Sequence, residues 1–325
     1  MKKNDVMSGH MLQRFANGEN YILNPPLPSA LNIELNSTCN EKCVFCPFHG
    51  KYAPRHPENV RMSYEDAKKI LDQAKELGIG NREVGFYLRG EPLLHTDFAR
   101  TVKYAKELGF KYTFATTNLS INNTDIIKEI IDAGIDSLRV SINASNRKKY
   151  EEIHGIDAFD VVVSNIKYIS EYVTSNNILL NISLSCVLTK DTINIQSEIR
   201  ELFDEYVNEI VFIPVCTKRL IQNEELLQKY KIESENNLER KKDYYCSLLF
   251  NSMYVDADLK VVPCCNANDK DVYFYDLNDD FNLEHAWNCD EYIYYRKVFL
   301  DNKELPEICG CCENLFNGFE NMIMK

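Results

Sequence analysis

The stretch LNIELNSTCNEKCVFC, residues 31–46, joins an apolar, strand-like run to a loop that holds three cysteines. These are Cys39, Cys43 and Cys46, separated by three and then two residues. Structural zinc needs four ligands, and this loop offers neither a nearby fourth ligand nor the histidine pair of a zinc finger. An iron–sulfur cluster held by three thiolates would leave one iron open for a small ligand. The spacing therefore favours a reactive iron–sulfur site over zinc.

The composition limits the class of protein. The 325 residues are 45% hydrophobic and 26% charged, which is typical of a globular chain. The formal charge of −12 disfavours a nucleic-acid partner. The apolar runs are strand-sized and the N-terminus lacks the apolar segment of a signal peptide, so we expect a cytoplasmic protein with no membrane partner. Twelve cysteines in such a chain favour reduced thiols or metal thiolates.

Strand-like and helical runs alternate from about residue 30 to residue 215. This alternation predicts repeated βα units and a parallel sheet or barrel. A helix is predicted between the capping residue Ser63 and the stop at Gly78, and two more over 97–109 and 124–134. Reactive loops in such folds follow the carboxyl ends of strands, where the cysteine loop lies. The predicted strands are Leu31–Leu35, Val84–Leu88, Tyr112–Thr116, Ser137–Ile142, Ile178–Val187 and Glu209–Ile213.

The cysteine loop resembles the CxxxCxΦC signature of the radical S-adenosylmethionine (radical SAM) superfamily, with Phe45 at the aromatic position. The resemblance implies an α/β fold, a partial (βα)6 TIM-like barrel. It also implies a 4Fe-4S cluster on Cys39, Cys43 and Cys46, with SAM on the open iron. An external electron donor such as flavodoxin or ferredoxin would then drive cleavage of SAM to methionine and a 5′-deoxyadenosyl radical, which abstracts a substrate hydrogen.

Later segments resemble the SAM-binding motifs of that family. LRGEP, residues 88–92, is similar to GGEP, but Arg89 replaces the first glycine, and both anion or substrate binding and a structural role stay open for it. ATTN is similar to the TNG turn, with Leu119 in place of glycine, and VSIN is similar to SLDG, with an amide that cannot take up a proton. Ser183 and Ser185 are further candidates. The resemblance assigns cofactor binding to Glu91, Asn118, Ser141, Asn143 and Phe45.

A structural role is favoured for the remaining candidates outside the motifs. Hydrogen-bonded structural roles are expected for the histidines, and core positions for two isolated cysteines in apolar runs. Packing is expected for the aromatic residues at helical spacing near the end of the chain. These residues are His49, His95, His154, His285, Cys186, Cys216, Tyr292, Tyr294, Tyr295 and Phe299.

The C-terminal part resembles the SPASM/Twitch class of iron–sulfur modules. The matching segments are VDADLKVVPCC, with Leu259 at a glycine position of that pattern, AWNCDEYIYYRKVF and LPEICGCC. The resemblance implies one closed auxiliary 4Fe-4S cluster, although Cys265 or Cys311 can replace a neighbour and Cys289 leaves a second cluster open. The implied ligands are Cys246, Cys264, Cys309 and Cys312.

We expect four regions along the chain: an N-terminal extension, the barrel, a linker or bridging helix, and the auxiliary module. Their expected bounds are 1–29, 30–216, 217–240 and 241–325.

Three functions remain open. The first is oxidation or epimerisation of a small polyol, aminocyclitol or sugar, with the auxiliary cluster as electron acceptor. The second is maturation of a ribosomal peptide, for which about 30 residues before the first strand are too few for a leader-binding winged-helix domain. The third is a zinc or redox-sensing binding protein, which leaves the Glu91 and Ser141 segments unexplained. We favour the first.

Overall fold

The computed structural model describes residues 21–50, 53, 59–215, 224–231, 246–265 and 272–310. Cys216, Cys311 and Cys312 lie outside these residues. The strands of the described part are β1 Ala30–Ile33, β2 Glu83–Phe86, β3 Thr113–Thr117, β4 Ser137–Ser141, β5 Asn181–Leu188, β6 Glu209–Pro214, β7 Ser252–Val255, β8 Lys260–Val262 and β9 Tyr275–Asp276. The six predicted strands are therefore confirmed, with shifted ends.

Helices follow most of these strands. They are α1 Tyr64–Leu77, α2 Phe98–Glu107, α3 Thr124–Asp132, α4 Arg147–His154, α5 Phe159–Ser175, α6 Gln196–Phe203, α7 Glu224–Tyr230, α8 Leu248–Asn251, α9 Leu283–Trp287, α10 Asp290–Leu300 and α11 Glu307–Gly310, with a 3₁₀ turn at Pro92–Leu94. Within the described ranges, no helix combines the length and hydropathy needed to cross a membrane.

Helix α1 begins and ends at the capping residues that its sequence predicts, Ser63 and Gly78. The Ser63 side chain accepts a hydrogen bond from the Asp66 backbone N–H, which satisfies one of the N–H groups that the first turn leaves unpaired. Gly78 ends the helix in the left-handed conformation, at φ 75°. One face of the helix is buried, at Ala67, Ile70, Leu71 and Ala74.

All nine strands belong to one sheet, in the order β6-β5-β4-β3-β2-β1-β7-β8-β9. Strands β1 to β6 pair in parallel, and β7 from the C-terminal part pairs in parallel with β1, so that Ile33 lies opposite Val255. β8 and β9 then continue the sheet antiparallel. A single apolar core includes residues of the barrel and of the C-terminal part, such as Met253, Trp287 and Phe299. The two parts therefore share one sheet and one core.

The aromatic residues of α10 differ in their surroundings. Tyr292 and Phe299 are fully buried, which confirms the prediction that they pack in the interior. Tyr294 is 57% exposed, so the packing predicted for it is wrong. Its side chain leaves the helix on the solvent side, next to the partly buried Tyr295.

Gly85 makes room for an aromatic ring inside the sheet. A Cβ at this position would lie 2.5 Å from Phe114 Cζ and 2.7 Å from Asn32 Oδ1. Strand β2 therefore approaches the ring of its neighbour more closely than any larger residue permits.

We predict that Gly85→Ala lowers the free energy of unfolding by about 1–3 kcal/mol, because the added methyl group overpacks this site. Urea denaturation followed by circular dichroism measures the change. Phe114→Leu in the Gly85→Ala background should recover part of the loss, since it removes the ring atoms that clash. A Gly85→Ala variant as stable as wild type would contradict the packing described.

Candidate functional site

The three cysteines stand on one tight loop. The Cys46 N–H donates to the Cys43 carbonyl at 2.9 Å and closes a turn between them. Backbone N–H groups also point at sulfur: that of Glu41 lies 3.5 Å from Cys39 Sγ, and that of His49 lies 3.3 Å from Cys46 Sγ. N–H donors of this kind stabilise thiolates and tune iron–sulfur clusters, so the loop fits a cluster held by three thiolates.

Burial and nearby carboxylates oppose ionisation of the Cys39 and Cys43 thiols in the protein alone. Burial raises the pKa of Cys39 to about 12, with a smaller contribution from Glu91. The pKa of Cys43 is also raised, first by burial and then by Glu41. A cation that binds the sulfurs must therefore supply the energy that removes their protons.

The loop docks on the end of helix α4. The N–H groups of Lys42 and Val44 donate to the carbonyls of His154 and Ile153, both at 2.9 Å. The last carbonyls of a helix lack partners within it, so the cysteine loop caps α4. Gly155 follows with φ 72°, and a Cβ there would lie 2.8 Å from the Lys42 carbonyl oxygen. This close approach requires glycine.

A buried carboxylate links the loop to two side chains of α4. Glu41 accepts from the Tyr150 hydroxyl at 2.5 Å and lies 2.8 Å from His154 Nδ1. Tyr150 and His154 are one turn apart, and their rings stack with centroids 3.9 Å apart. The Cys43 thiol donates to Glu41 at 3.4 Å and lies 3.7 Å from His154 Nδ1. Glu41, Cys43 and His154 thus form one cluster of potential ligand atoms within 4.8 Å.

Asn143 completes this network and explains why an amide stands there. Its backbone N–H donates to His154 Nε2 at 3.2 Å, so Nε2 is the unprotonated nitrogen and Nδ1 carries the proton that faces Glu41. Asn143 Nδ2 also lies 3.1 Å from Nε2, and its Oδ1 accepts from the Val187 N–H at 2.7 Å. A carboxylate could accept from Val187 but could not donate to the imidazole. The structure therefore places Asn143 behind the cysteine loop.

Glu91 lies buried beside the cysteine loop. Its carboxylate accepts from the Thr117 hydroxyl at 2.6 Å and from the N–H groups of Asn118 and Leu93 at 2.7 and 3.0 Å. Burial raises the pKa of this carboxyl group to about 7 despite these bonds. The preceding Gly90 allows the segment to approach the chain before the cysteines, since a Cβ there would lie 2.1 Å from the Asn36 carbonyl oxygen.

Asn118 connects the end of β3 to the cysteine loop. Its Nδ2 donates to Asn40 Oδ1 at 2.9 Å and lies 3.6 Å from Cys39 Sγ. Leu119 has φ 57° and Leu259 has φ 62°, so both leucines at glycine positions of the family patterns keep a left-handed backbone. This conformation costs about 1–2 kcal/mol for a residue with a Cβ. Burial of the Leu119 side chain offsets a similar amount.

The polar residues of β4 and β5 lie on one face of the sheet. Ser141 pairs in register with Ser185, and Arg139 with Ser183, so the alternation of strands puts all four on the same side. The alternate residues Leu138 and Val140 pack in the apolar cluster with helix residues such as Ile166, so the polar side faces away from the helices and is the inner one. Ser141 and Ser185 are partly exposed there. Phe45 is instead buried against Ile153 and helix α7.

The described cysteines of the C-terminal part pack against apolar clusters. Cys246, Cys264 and Cys265 pack against the cluster of Leu248, Tyr254 and Val262, which Tyr87 and Leu88 also contact. Burial raises the pKa of Tyr295 to about 12, with smaller contributions that include Cys309 and Cys264, so both thiols lie near this ring. The Cys289 thiol donates to the Phe274 carbonyl at 3.4 Å.

Two of the isolated residues have the structural roles that the sequence predicts, and Cys216 lies outside the described residues. His95 accepts from the Asp97 N–H and bonds the Met62 carbonyl, and Cys186 is fully buried, which confirms structural roles for both. His154 is also hydrogen-bonded, as predicted, but it lies against Cys43 as well. The sequence did not predict this contact or the part of Glu41 in it, although the position of Glu41 inside the cysteine loop was an available signal.

The comparisons with known proteins agree with this geometry. The family model of the radical SAM superfamily matches residues 33–195, and that of the SPASM iron–sulfur cluster-binding domain matches residues 246–313. A probable GTP 3′,8-cyclase of Saccharolobus islandicus is 34% identical over 137 residues, which are 42% of this chain and 42% of that protein. The match therefore covers less than half the length of the relative.

Two solved structures share the fold. Streptococcus suis SuiB bound to the precursor peptide SuiA has a TM-score of 0.64 and 17% identity, over 90% of this chain and 71% of SuiB. BtrN in complex with AdoMet and 2-DOIA has a TM-score of 0.57 and 17% identity, over 89% of this chain and 94% of BtrN. At these identities the similarity concerns the fold alone.

We predict that Gly155→Ala lowers the iron bound by the cysteine loop, because the added methyl group pushes the Lys42 backbone away from α4. Gly78→Ala is the matched control: Gly78 also ends a helix, at φ 75° against 72°, and no neighbouring heavy atom lies within 4 Å of the added Cβ. Both variants carry a similar backbone strain of roughly 1–2 kcal/mol. Iron and sulfide per chain are counted after anaerobic reconstitution, and equal contents would contradict the docking described.

Proposed function

Since this chain belongs to the radical SAM superfamily, we propose that it oxidises or epimerises a small polyol, aminocyclitol or sugar in the cytoplasm. Cys39, Cys43 and Cys46 hold a 4Fe-4S cluster, and an external flavodoxin or ferredoxin reduces it. Cys246, Cys264, Cys309 and Cys312 of the C-terminal module, residues 241–325, hold one auxiliary 4Fe-4S cluster. When bound, these clusters and SAM supply a 5′-deoxyadenosyl radical that removes a substrate hydrogen and an acceptor for the remaining electron.

One contact between the two parts of the chain carries the proposal. Tyr87 and Leu88, the residue before the LRGEP segment and its first residue, pack on the same apolar cluster as Cys246, Cys264 and Cys265. The segment that carries Glu91 is therefore in contact with the surroundings of the auxiliary cysteines. An electron left on a substrate beside this segment has a short packed path to the auxiliary site.

The side chains around the open iron have distinct roles in the proposal. Glu91 holds the SAM amino group, because it is a buried carboxylate next to Asn118 and the cysteine loop. Ser141 and Asn118 contact the remaining parts of SAM. Ser183 and Ser185, on the same inner face, supply hydroxyl groups that suit a hydroxylated substrate.

With SAM and both clusters bound, the oxidation would balance without a reactant beyond the electron donor. One electron from the donor would cleave SAM, and the hydrogen atom of a carbinol carbon would pass to the deoxyadenosyl group. The substrate would then give up one electron through the auxiliary cluster, which would return it to the oxidised donor, and its hydroxyl proton to water, so that a carbonyl forms. One SAM would be consumed per oxidised product.

A peptide substrate is the second candidate. SuiB, whose fold matches over 90% of this chain, was solved with a bound precursor peptide. A peptide product formed from a precursor encoded beside this gene would favour this candidate over the polyol.

We predict about eight irons per chain after anaerobic reconstitution, and about four in Cys39→Ala and in Cys309→Ala, since each variant loses one four-iron cluster. Colorimetric iron counting and metal analysis measure this. Zinc at either set of cysteines, or an unchanged count in Cys309→Ala, would refute the assignment of two clusters.

We also predict that the two variants separate SAM cleavage from product formation. Cys39→Ala should release no 5′-deoxyadenosine, because it lacks the open iron. Cys309→Ala should still release it but should form no oxidised product, because the substrate radical has no electron acceptor. Chromatography of 5′-deoxyadenosine and product, with a panel of polyols and aminocyclitols, follows both. Normal product formation in Cys309→Ala would exclude the auxiliary cluster as acceptor.

A further inference from the structure

Arg89 carries a buried guanidinium group that is only partly hydrogen-bonded within the described residues. Its side chain is 7% exposed, and Nη1 donates to Oδ2 of Asp256 at 3.1 Å, itself 5% exposed. The Nε and Nη2 atoms are buried and have no hydrogen-bond partner within the part of the chain that the structure describes. Buried N–H groups of a charged side chain are costly to leave without an acceptor. Two of them on one residue indicate that a further acceptor, beyond the described residues, belongs there.

The two unused groups form a defined recognition element. Nε and Nη2 lie on the same edge of the planar guanidinium, so their N–H bonds point in parallel toward two acceptor atoms. This fork matches the two oxygens of a carboxylate or phosphate group. Asp256 already occupies the end of the guanidinium at Nη1, which leaves the matching edge for a second oxyanion.

The neighbouring groups hold Arg89 in place without filling this edge. Glu34 is the other buried carboxyl group nearby, but it accepts from the backbone N–H groups of Arg89, Gly90 and Ala257, at 2.7, 3.0 and 3.3 Å. Burial raises the pKa of Glu34 to about 7, so protonation can remove its charge when a further anion approaches. The ring of Phe48 covers the guanidinium, with its centroid 5.5 Å from Cζ.

Arg89 and Glu91 leave the same segment in opposite directions. Glu91 turns toward Thr117 and Asn118 at the end of β3. Arg89 turns toward Asp256, which follows β7 on the other side of β1. The guanidinium therefore lies between the loop that follows the cysteines, through Phe48, and the C-terminal part with the auxiliary cysteines. This is a place for a substrate that reacts between the two sites, away from the expected position of the SAM amino group at Glu91.

We propose that Arg89 binds a carboxylate or phosphate group of the substrate through Nε and Nη2, and so selects an anionic substrate such as a sugar phosphate or a sugar acid. The term substrate rests on the function proposed above. The anion site itself depends only on the residues around Arg89.

Binding of two simple probes to the reconstituted full-length protein tests the site. Inorganic phosphate and acetate are titrated separately by isothermal calorimetry, at constant ionic strength in chloride, and distinguish a phosphate from a carboxylate ligand. Wild type should bind at least one of them, and Arg89→Lys should weaken that binding on the order of 10- to 100-fold, because lysine keeps the charge for Asp256 but not the fork. Arg147→Lys, which changes an exposed arginine paired with Asp157, should leave it unchanged.

The Arg89→Met/Asp256→Asn double variant controls for misfolding of a variant with one unpaired buried charge, because it removes both charges of the pair together. It should fold, as judged by its urea denaturation curve, and should lose anion binding. Wild type that binds neither probe, or Arg89→Lys that binds like wild type, would overturn the proposal. A parallel loss of SAM affinity in Arg89→Lys would also overturn it, because the guanidinium would then hold the SAM carboxylate.

The release of 5′-deoxyadenosine from the same samples reports on the proposed function separately. Anion binding does not require SAM cleavage, so a wild type that binds phosphate or acetate but releases no 5′-deoxyadenosine contradicts the proposed function and leaves the anion site in place. A wild type that releases 5′-deoxyadenosine without an anion preference contradicts the site alone.

Discussion

Two backbone hydrogen bonds, from Lys42 and Val44 to the last carbonyls of helix α4, set the position of the three cysteines. The cysteine side chains of this loop are the expected metal ligands, so the loop is fixed by its backbone and by other side chains such as Glu41. The last carbonyls of α4 have no partners within the helix, so these hydrogen bonds pair them and also fix the loop. The contacts of Cys43 with Glu41 and His154, and of Cys39 with Asn118, follow from this position.

The features that local sequence encodes were predictable, and those that depend on distant pairing were not. Cysteine spacing, the caps of α1 at Ser63 and Gly78 and the six parallel strands follow from short-range patterns. The pairing of Glu41 with His154, 113 residues apart, and of Arg89 with Asp256, 167 residues apart, depends on how elements meet in space. The backbone conformation of Leu119 and Leu259 was also not predictable. Both have the positive φ that glycine favours, although leucine rarely adopts it.

The C-terminal part is joined to the barrel by more than a covalent link. Because β7 pairs in parallel with β1, the turn after β7 comes to the same edge of the sheet as the loop after β1. Asp256 on that turn can therefore reach Arg89, and the surroundings of Cys264 can reach Tyr87. One extra pairing in the sheet thus brings the described cysteines of the C-terminal part, the guanidinium of Arg89 and the three-cysteine loop close together.

We propose that Cys39, Cys43 and Cys46 leave one iron of their cluster open for SAM. Electron–nuclear double resonance of the reduced Cys309→Ala protein, which would hold only the cluster of the cysteine loop, tests this most directly. SAM labelled with ¹⁵N at the amino group should show a strong coupling between that nitrogen and the cluster, and Cys39→Ala/Cys309→Ala should show none. A cluster that forms in Cys309→Ala but gives the same spectrum with and without SAM would contradict the open iron.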